Sequence, residues 1–225
     1  MLWVSKFGIA NGEAAEDSPW VGAFPGPDRN EDSSDLYTIV HPALPGSEEF
    51  CGDLRDAIGE TYHQTKVSLT GGLLKAIKAA HENLRDWNER SMREHQVGAG
   101  ASVLAIRGRE AYLGQAGPAS AIFYRDFAAS EIVPTLPEAQ GALGVGDEIW
   151  PQFTRYDLVD DDRLVILTPG LVPTIGVETI AEALQLPPDD ALKELFRHLR
   201  QQPLCGAVLI AAEPDPPEPP TETDS

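Results

Sequence analysis

The chain has 225 residues, 42% of them hydrophobic, enough to bury the core of one large domain. Its 17 Lys and Arg stand against 36 Asp and Glu, a formal net charge of -19. Such a field repels nucleic-acid phosphates and anionic membrane surfaces, so neither partner is expected, while solubility and a basic protein partner both fit it. No apolar run approaches the about 20 residues of a membrane helix, and the N-terminus lacks the apolar stretch of a signal peptide, so the expected location is the cytoplasm.

Taken in chain order, residues 1–35 are rich in Gly, Pro, Asp, Asn and Ser and predict one short strand over 2–9 followed by loop. LYTIV at 36–40 is a β-type run that Pro42 and Pro45 should stop. Leu54, Ala57, Ile58 and Tyr62 recur at helical spacing within 48–66. A stronger stripe, Leu69, Leu73, Ile77, Ala80, Leu84 and Trp87, predicts a second helix capped by Ser68 or Thr70, with Asp86, Asn88 and Glu89 on its solvated side. His81 lies beside that stripe, at the edge of the core.

The period then changes. SVLAI at 102–106, residues 111–113 and AIFY at 121–124 read as strands of an antiparallel sheet, joined by turns at 107–110 and at Gly117-Pro118. Residues 126–151 read as irregular. Residues 153–158 and 164–168 read as a hairpin around the acidic tip 159–163. Helices are expected at 177–186 and after Pro187-Pro188, the second with Asp189 and Asp190 in its first turn and Arg197, His198 and Arg200 at its end, complementing the helix dipole. AVLIAA at 207–212 is a last buried strand. Residues 1–212 are thus expected to form one domain, and the Pro- and acid-rich tail 213–225 to be disordered.

Cys51 and Cys205 form no CxxC, and His41, His63, His81, His95 and His198 share no ligand spacing, so no zinc site is indicated. Two buried thiols in a reducing compartment are expected. The GAGAS run at 98–102 precedes a strand and completes no phosphate loop, and Asp160-Asp161-Asp162 lacks the rest of a calcium loop. His41 borders a turn and reads as an exposed loop residue.

Six segments, in order, resemble the PP2C (PPM) family of metal-dependent Ser/Thr protein phosphatases. They are Asn30-Glu31-Asp32; LYTIVHPALPG at 36–46; ASVLAIRGREAYLGQAGPASAIFYR at 101–125; Ala142-Leu143-Gly144; DRLVILTPGLVPTIGVETIAEAL at 162–184; and the final strand from Leu204. The resemblance implies an α+β fold, a four-layer α-β-β-α sandwich of two antiparallel sheets flanked by helices. It also implies a pair of Mg²⁺ or Mn²⁺ ions held by aspartates, which activate a water. At the positions that correspond to those aspartates, and to the glycine after the first, stand Pro42 with Ala43, Pro118, Pro169, and Leu204 or Cys205; of the family motifs Asn30, Glu31 and Asp32 persist. A hard dication needs oxygen ligands, mostly anionic ones. The expectation is therefore a pseudophosphatase: no metal cofactor, no catalytic residue, and a binding or regulatory role in phospho-signalling toward a kinase or a phosphorylated protein. Two alternatives stay open. One is residual or altered metal-dependent phosphatase activity using acids such as Glu31, Asp32, Glu48 or Asp53; the other is a structural module whose acidic surface binds a basic partner.

Overall fold

A computed structural model describes residues 1–15, 18–26, 33–65 and 67–215, the side chain of Glu138 excepted. The chain opens with β1 (Leu2–Ala10), β2 (Glu13–Ala15), β3 (Val21–Phe24) and β4 (Asp35–Pro42), followed by helices α1 (Cys51–Gln64) and α2 (Leu69–Arg90). Strands β5 (Ala99–Arg107), β6 (Glu110–Ala116), β7 (Ser120–Arg125) and β8 (Ala128–Ile132) come next, then a single helical turn α3 (Pro137–Gln140) and strands β9 (Gln152–Asp157) and β10 (Arg163–Leu167). Helices α4 (Leu171–Ile175), α5 (Val177–Leu184) and α6 (Pro188–Leu199) lead into β11 (Leu204–Ala212).

Among the described residues one sheet has the order β2-β1-β11-β10-β7-β8 and the other β3-β4-β5-β6-β9, with antiparallel pairing throughout. Side-chain alternation along each strand divides the core into three layers. In β4, Leu36 and Val40 face α1 and α2, where they meet Leu54, Ile58, Leu73 and Ile77. Ile39 faces the other sheet and joins Leu104, Leu113, Leu164, Val208 and Ile210 between the two. On the far side Val165, Leu167, Ala207 and Leu209 pack on Ile180, Leu184, Leu195 and Leu199 of α5 and α6. The arrangement is the expected four-layer α+β sandwich, and each fully buried aliphatic side chain in it stabilises the fold by about 1.5–3 kcal/mol.

Helices α1, α2, α5 and α6 form where their apolar spacing predicts, while α4 was not expected. Ser68 caps α2 by accepting from the Gly71 amide. Several local expectations are corrected. The stretch 126–151 holds β8 and α3, and the stretch after β1 holds β2 and β3. Strand β4 continues through His41 and Pro42, which sit opposite Gly100 and Ala99; a proline is tolerated there because the strand ends with it.

The expected hairpin of 153–158 with 164–168 does not exist: β9 pairs with β6 in one sheet and β10 with β7 and β11 in the other. The acidic tip is a crossing between sheets. Asp162 is 1% exposed there and accepts from Arg125 Nε and from the Val159 amide. Asn88 is buried rather than solvated, and Trp87 is half exposed, edge-on to Phe50. Glu213 and Asp215, expected in the disordered tail, bond to the N-terminal Met1; residues 216–225 lie outside the described residues.

Candidate functional site

The positions singled out in the sequence collect at one end of the sandwich, because antiparallel strands bring the end of one to the start of the next. Pro42 ends β4 opposite Ala99, and the Ala43 amide donates to Gly98 O at 2.7 Å. Pro118 links β6 to β7 and lies so close to β5 that a Cβ on Gly100 would stand 1.8 Å from Pro118 O. Pro169 follows β10 directly after Thr168, whose amide donates to Gly206 O at 3.1 Å while its Oγ1 accepts from the Gly206 amide at 3.0 Å. Leu204 and Cys205 begin β11. Asn30, Glu31 and Asp32 lie outside the described residues.

Strand alternation resolves which of these side chains face the space between the sheets. Leu204 belongs to the inter-sheet layer and Cys205 to the layer against the helices, where its thiol donates to Leu199 O at 3.8 Å. In β4 the parity of Ile39 carries His41 to the inter-sheet side and that of Val40 carries Pro42 to the helix side. The residue that looks into the sandwich at the end of β4 is therefore His41.

His41 is half-buried in a strand, not exposed in a loop. Its Nδ1 is buried without a hydrogen-bond partner. Burial lowers its pKa from 6.5, opposed by the charge of Glu48, so at neutral pH the ring is uncharged.

Trp20 is the other residue of this end, and nothing in its sequence neighbourhood marks it out. It is 7% exposed, and its Nε1 donates to Cys205 O at 3.0 Å while its own carbonyl accepts from the Val40 amide at 2.9 Å. Gly206 admits this packing: a Cβ there would stand 2.2 Å from Val21 Cγ2 and 3.3 Å from Trp20 Cδ1. The sheets are thus bridged by an indole and small residues. Both cysteines are free and buried, and burial pushes each thiol up to about 12.

A pair of divalent cations asks for several carboxylate oxygens converging on one point. The side chains of Pro42, Ala43, Pro118, Pro169, Leu204 and Cys205 provide none, and among the described residues no three His, Cys, Asp or Glu side chains stand close enough together to hold a metal ion. These positions do not fit the metal pair. Asp53 belongs to α1 and Glu48 to the turn before it, where its charge reaches His41 and Cys51. Among the described residues no helix is long and apolar enough to cross a membrane.

No family model matches the chain, and no curated protein matches it. Solved structures do. A serine/threonine phosphatase of S. agalactiae superposes with a TM-score of 0.74 at 13% identity, over 95% of this chain and 100% of that one. The Mycobacterium tuberculosis serine/threonine phosphatase PstP/Ppp gives a TM-score of 0.71 at 18% identity, over 95% and 99% of the two chains. Its catalytic domain in complex with 2 manganese ions gives 0.69 at 17% identity, over 95% and 100%. The expectation that this chain is not an enzyme is corrected by these matches: structures that coincide with it end to end are phosphatases, and substitutions at a few ligand positions do not establish a pseudophosphatase. The chain has the fold of the PP2C-type serine/threonine phosphatases.

Proposed function

We propose that this chain is a PP2C-like phosphatase domain of cytoplasmic phospho-signalling that engages a protein segment, phosphorylated or belonging to a kinase, at the sheet end around His41, Pro118 and Pro169. The reading rests on one observation above the others: the phosphatase fold extends over nearly the whole chain, while the strand ends that would meet a substrate carry His41 and prolines instead of carboxylates. An uncharged imidazole with an unused nitrogen offers a hydrogen bond without the repulsion that a cluster of carboxylates would exert on a phosphoryl group. Two free buried thiols suit a reducing compartment.

A second reading is favoured by the phosphatase structures themselves. In it the domain hydrolyses phosphoesters with a changed set of carboxylates, drawn from Glu31, Asp32, Glu48 and Asp53. One experiment addresses both readings. The chain is incubated with Mn²⁺ and p-nitrophenyl phosphate, and separately titrated with phosphoserine peptides while the His41 ring resonances are followed. Turnover abolished by Asp32→Asn establishes the second reading. Peptide-dependent shifts of His41 establish the first, and neither turnover nor shifts would remove both.

A further inference from the structure

A cavity of about 360 Å³ opens at the other end of the strands from the prolines. In the pairing of β10 with β7, Leu167 opposite Ser120 lies toward Pro118 and Pro169, and Arg163 opposite Tyr124 lines the cavity. Three segments meet there: the turn between β7 and β8, the crossing 159–163, and the end of α5 with Leu184 and Gln185. The crossing is held in place, since the Asp161 amide donates to Ala212 O at 2.8 Å and the Ala212 amide to Asp162 O at 2.9 Å. The cavity is therefore preformed.

Its charges do not cancel. Arg125 is engaged by Asp162, its Nε donating to Oδ1 at 2.8 Å, and Arg163 by Glu213 at 2.6 Å. Asp160 is paired with Arg109 at 2.6 Å. Asp126 and Asp161 remain. Both are exposed, and among the described residues neither side chain accepts a hydrogen bond or closes an ion pair, although the charge of Asp126 reaches Arg125. Tyr124, also in the lining, is only 6% exposed, and its hydroxyl has no hydrogen-bond partner among the described residues. Burial raises its pKa, opposed by the charge of Arg163 and assisted by that of Asp161, so the hydroxyl is neutral and free to accept. A nearly buried hydroxyl left open toward a cavity carries a desolvation cost that the polar group of a ligand offsets.

The rim is apolar. Phe127 is 83% exposed and Val159 54%. Asp126 and Phe127 make the two-residue hairpin turn at φ of 51° and 63°, a left-handed region that suits glycine or asparagine far better than a bulky ring. Unpaired carboxylates beside solvent-facing apolar side chains match a cationic side chain with an apolar stem and an apolar neighbour. At a net charge of -19 a second copy of this chain is repelled, and so is an anionic ligand. We propose that this cavity docks a basic segment of a partner protein, a lysine or arginine reaching past Asp126 and Asp161 to Tyr124 Oη while an apolar neighbour rests on Phe127 and Val159. The site is separate from the sheet end and does not rest on the function proposed there.

The test uses the full chain and a fluorescein-labelled peptide containing Lys-Phe-Lys, followed by anisotropy. Saturable binding is expected, weakened at least about tenfold when glutamine replaces both lysines of the peptide, and equally in the double variant Asp126→Asn with Asp161→Asn. Tyr124→Phe and Phe127→Gly should each weaken it about threefold or more. Glycine fits the turn better than the native residue, so a thermal melt of Phe127→Gly guards against loss of folding. Glu60→Gln with Asp86→Asn, exposed on α1 and α2, is the control for the diffuse field of the whole surface and should change affinity less than about twofold. The site is overturned if the peptide does not saturate the chain, if any of the three cavity variants binds as the native chain does, or if the helix control loses as much as they do.

Discussion

The sheet end and the cleft between α2 and the 144–149 loop are two solutions to the same problem of burying polar groups. At the sheet end almost every buried donor is answered: Trp20 Nε1 by Cys205 O, the Gly206 amide by Thr168 Oγ1, the Thr168 amide by Gly206 O. Glycines allow backbones to close on one another there, and His41 Nδ1 and Ser18 Oγ are among the atoms left over. In the α2 cleft the walls are just as firmly tied, and the polar groups are answered across them: His81 Nδ1 by the Gly144 amide, Arg85 by the Asp147 carbonyl and the Glu89 carboxylate. An unanswered buried group carries a cost that only a partner removes, so the sheet end, where His41 Nδ1 and Ser18 Oγ stay without one, is where a ligand is to be sought.

The largest effect is expected at Gly100. Gly100→Ala sets a Cβ against the Pro118 carbonyl, which is backbone and cannot swing aside, so a loss of more than about 3 kcal/mol is expected in urea unfolding. A near-neutral variant would mean that the strand ends are looser than described. Asn88→Ala should cost about 3 kcal/mol, or roughly 10 °C in Tm for a domain of this size, because it strands Val97 N–H and two carbonyls. A shift of a degree or two in a thermal melt would show that the loop does not depend on this clamp.

Trp20→Phe keeps most of the ring and removes the bond to Cys205 O, for a loss of about 1 kcal/mol, readable from the denaturation midpoint. The smallest effect is on pH. Burial lowers the pKa of both His41 and His81 from 6.5, so the unfolded chain takes up protons first. Their contribution to stability is complete above pH 6.5 and is lost as pH falls from there toward the folded values. Melts between pH 7.5 and 5.5 should show the decline in the native chain and a shallower one in His81→Gln.

Much of the architecture was legible in residue order. The stripe of Leu73, Ile77, Ala80 and Leu84 has one helical solution, and the cores of three strands, 102–106, 111–113 and 121–124, are announced by a change of period and by glycine turns, though each strand runs longer in the fold. The hairpin expected at 153–168 fails for a definite reason. Turn chemistry at Asp160-Asp161-Asp162 is the same whether the chain folds back on its own sheet or crosses to the other, and the pairing of the buried Asp162 carboxylate with the half-exposed Arg125, residues far apart in sequence, favours the crossing. Asn88 was misplaced because helical periodicity cannot see the loop that covers α2 from outside.

At the candidate site the sequence supplied the strand ends and the prolines, but it could not say which neighbour of each faces inward. Whether His41 or Pro42 enters the sandwich is a matter of one residue in register, settled by the alternation of Ile39 and Val40 between two cores. What the sequence determined by itself was the kind of element at each stretch, since that depends on the spacing of apolar residues along the chain. Tertiary structure alone decided that Trp20 meets Cys205, that His81 accepts from the Gly144 amide, and that β9 and β10 part company. Each of those depends on atoms brought together from distant parts of the chain, and local periodicity carries no information about such meetings.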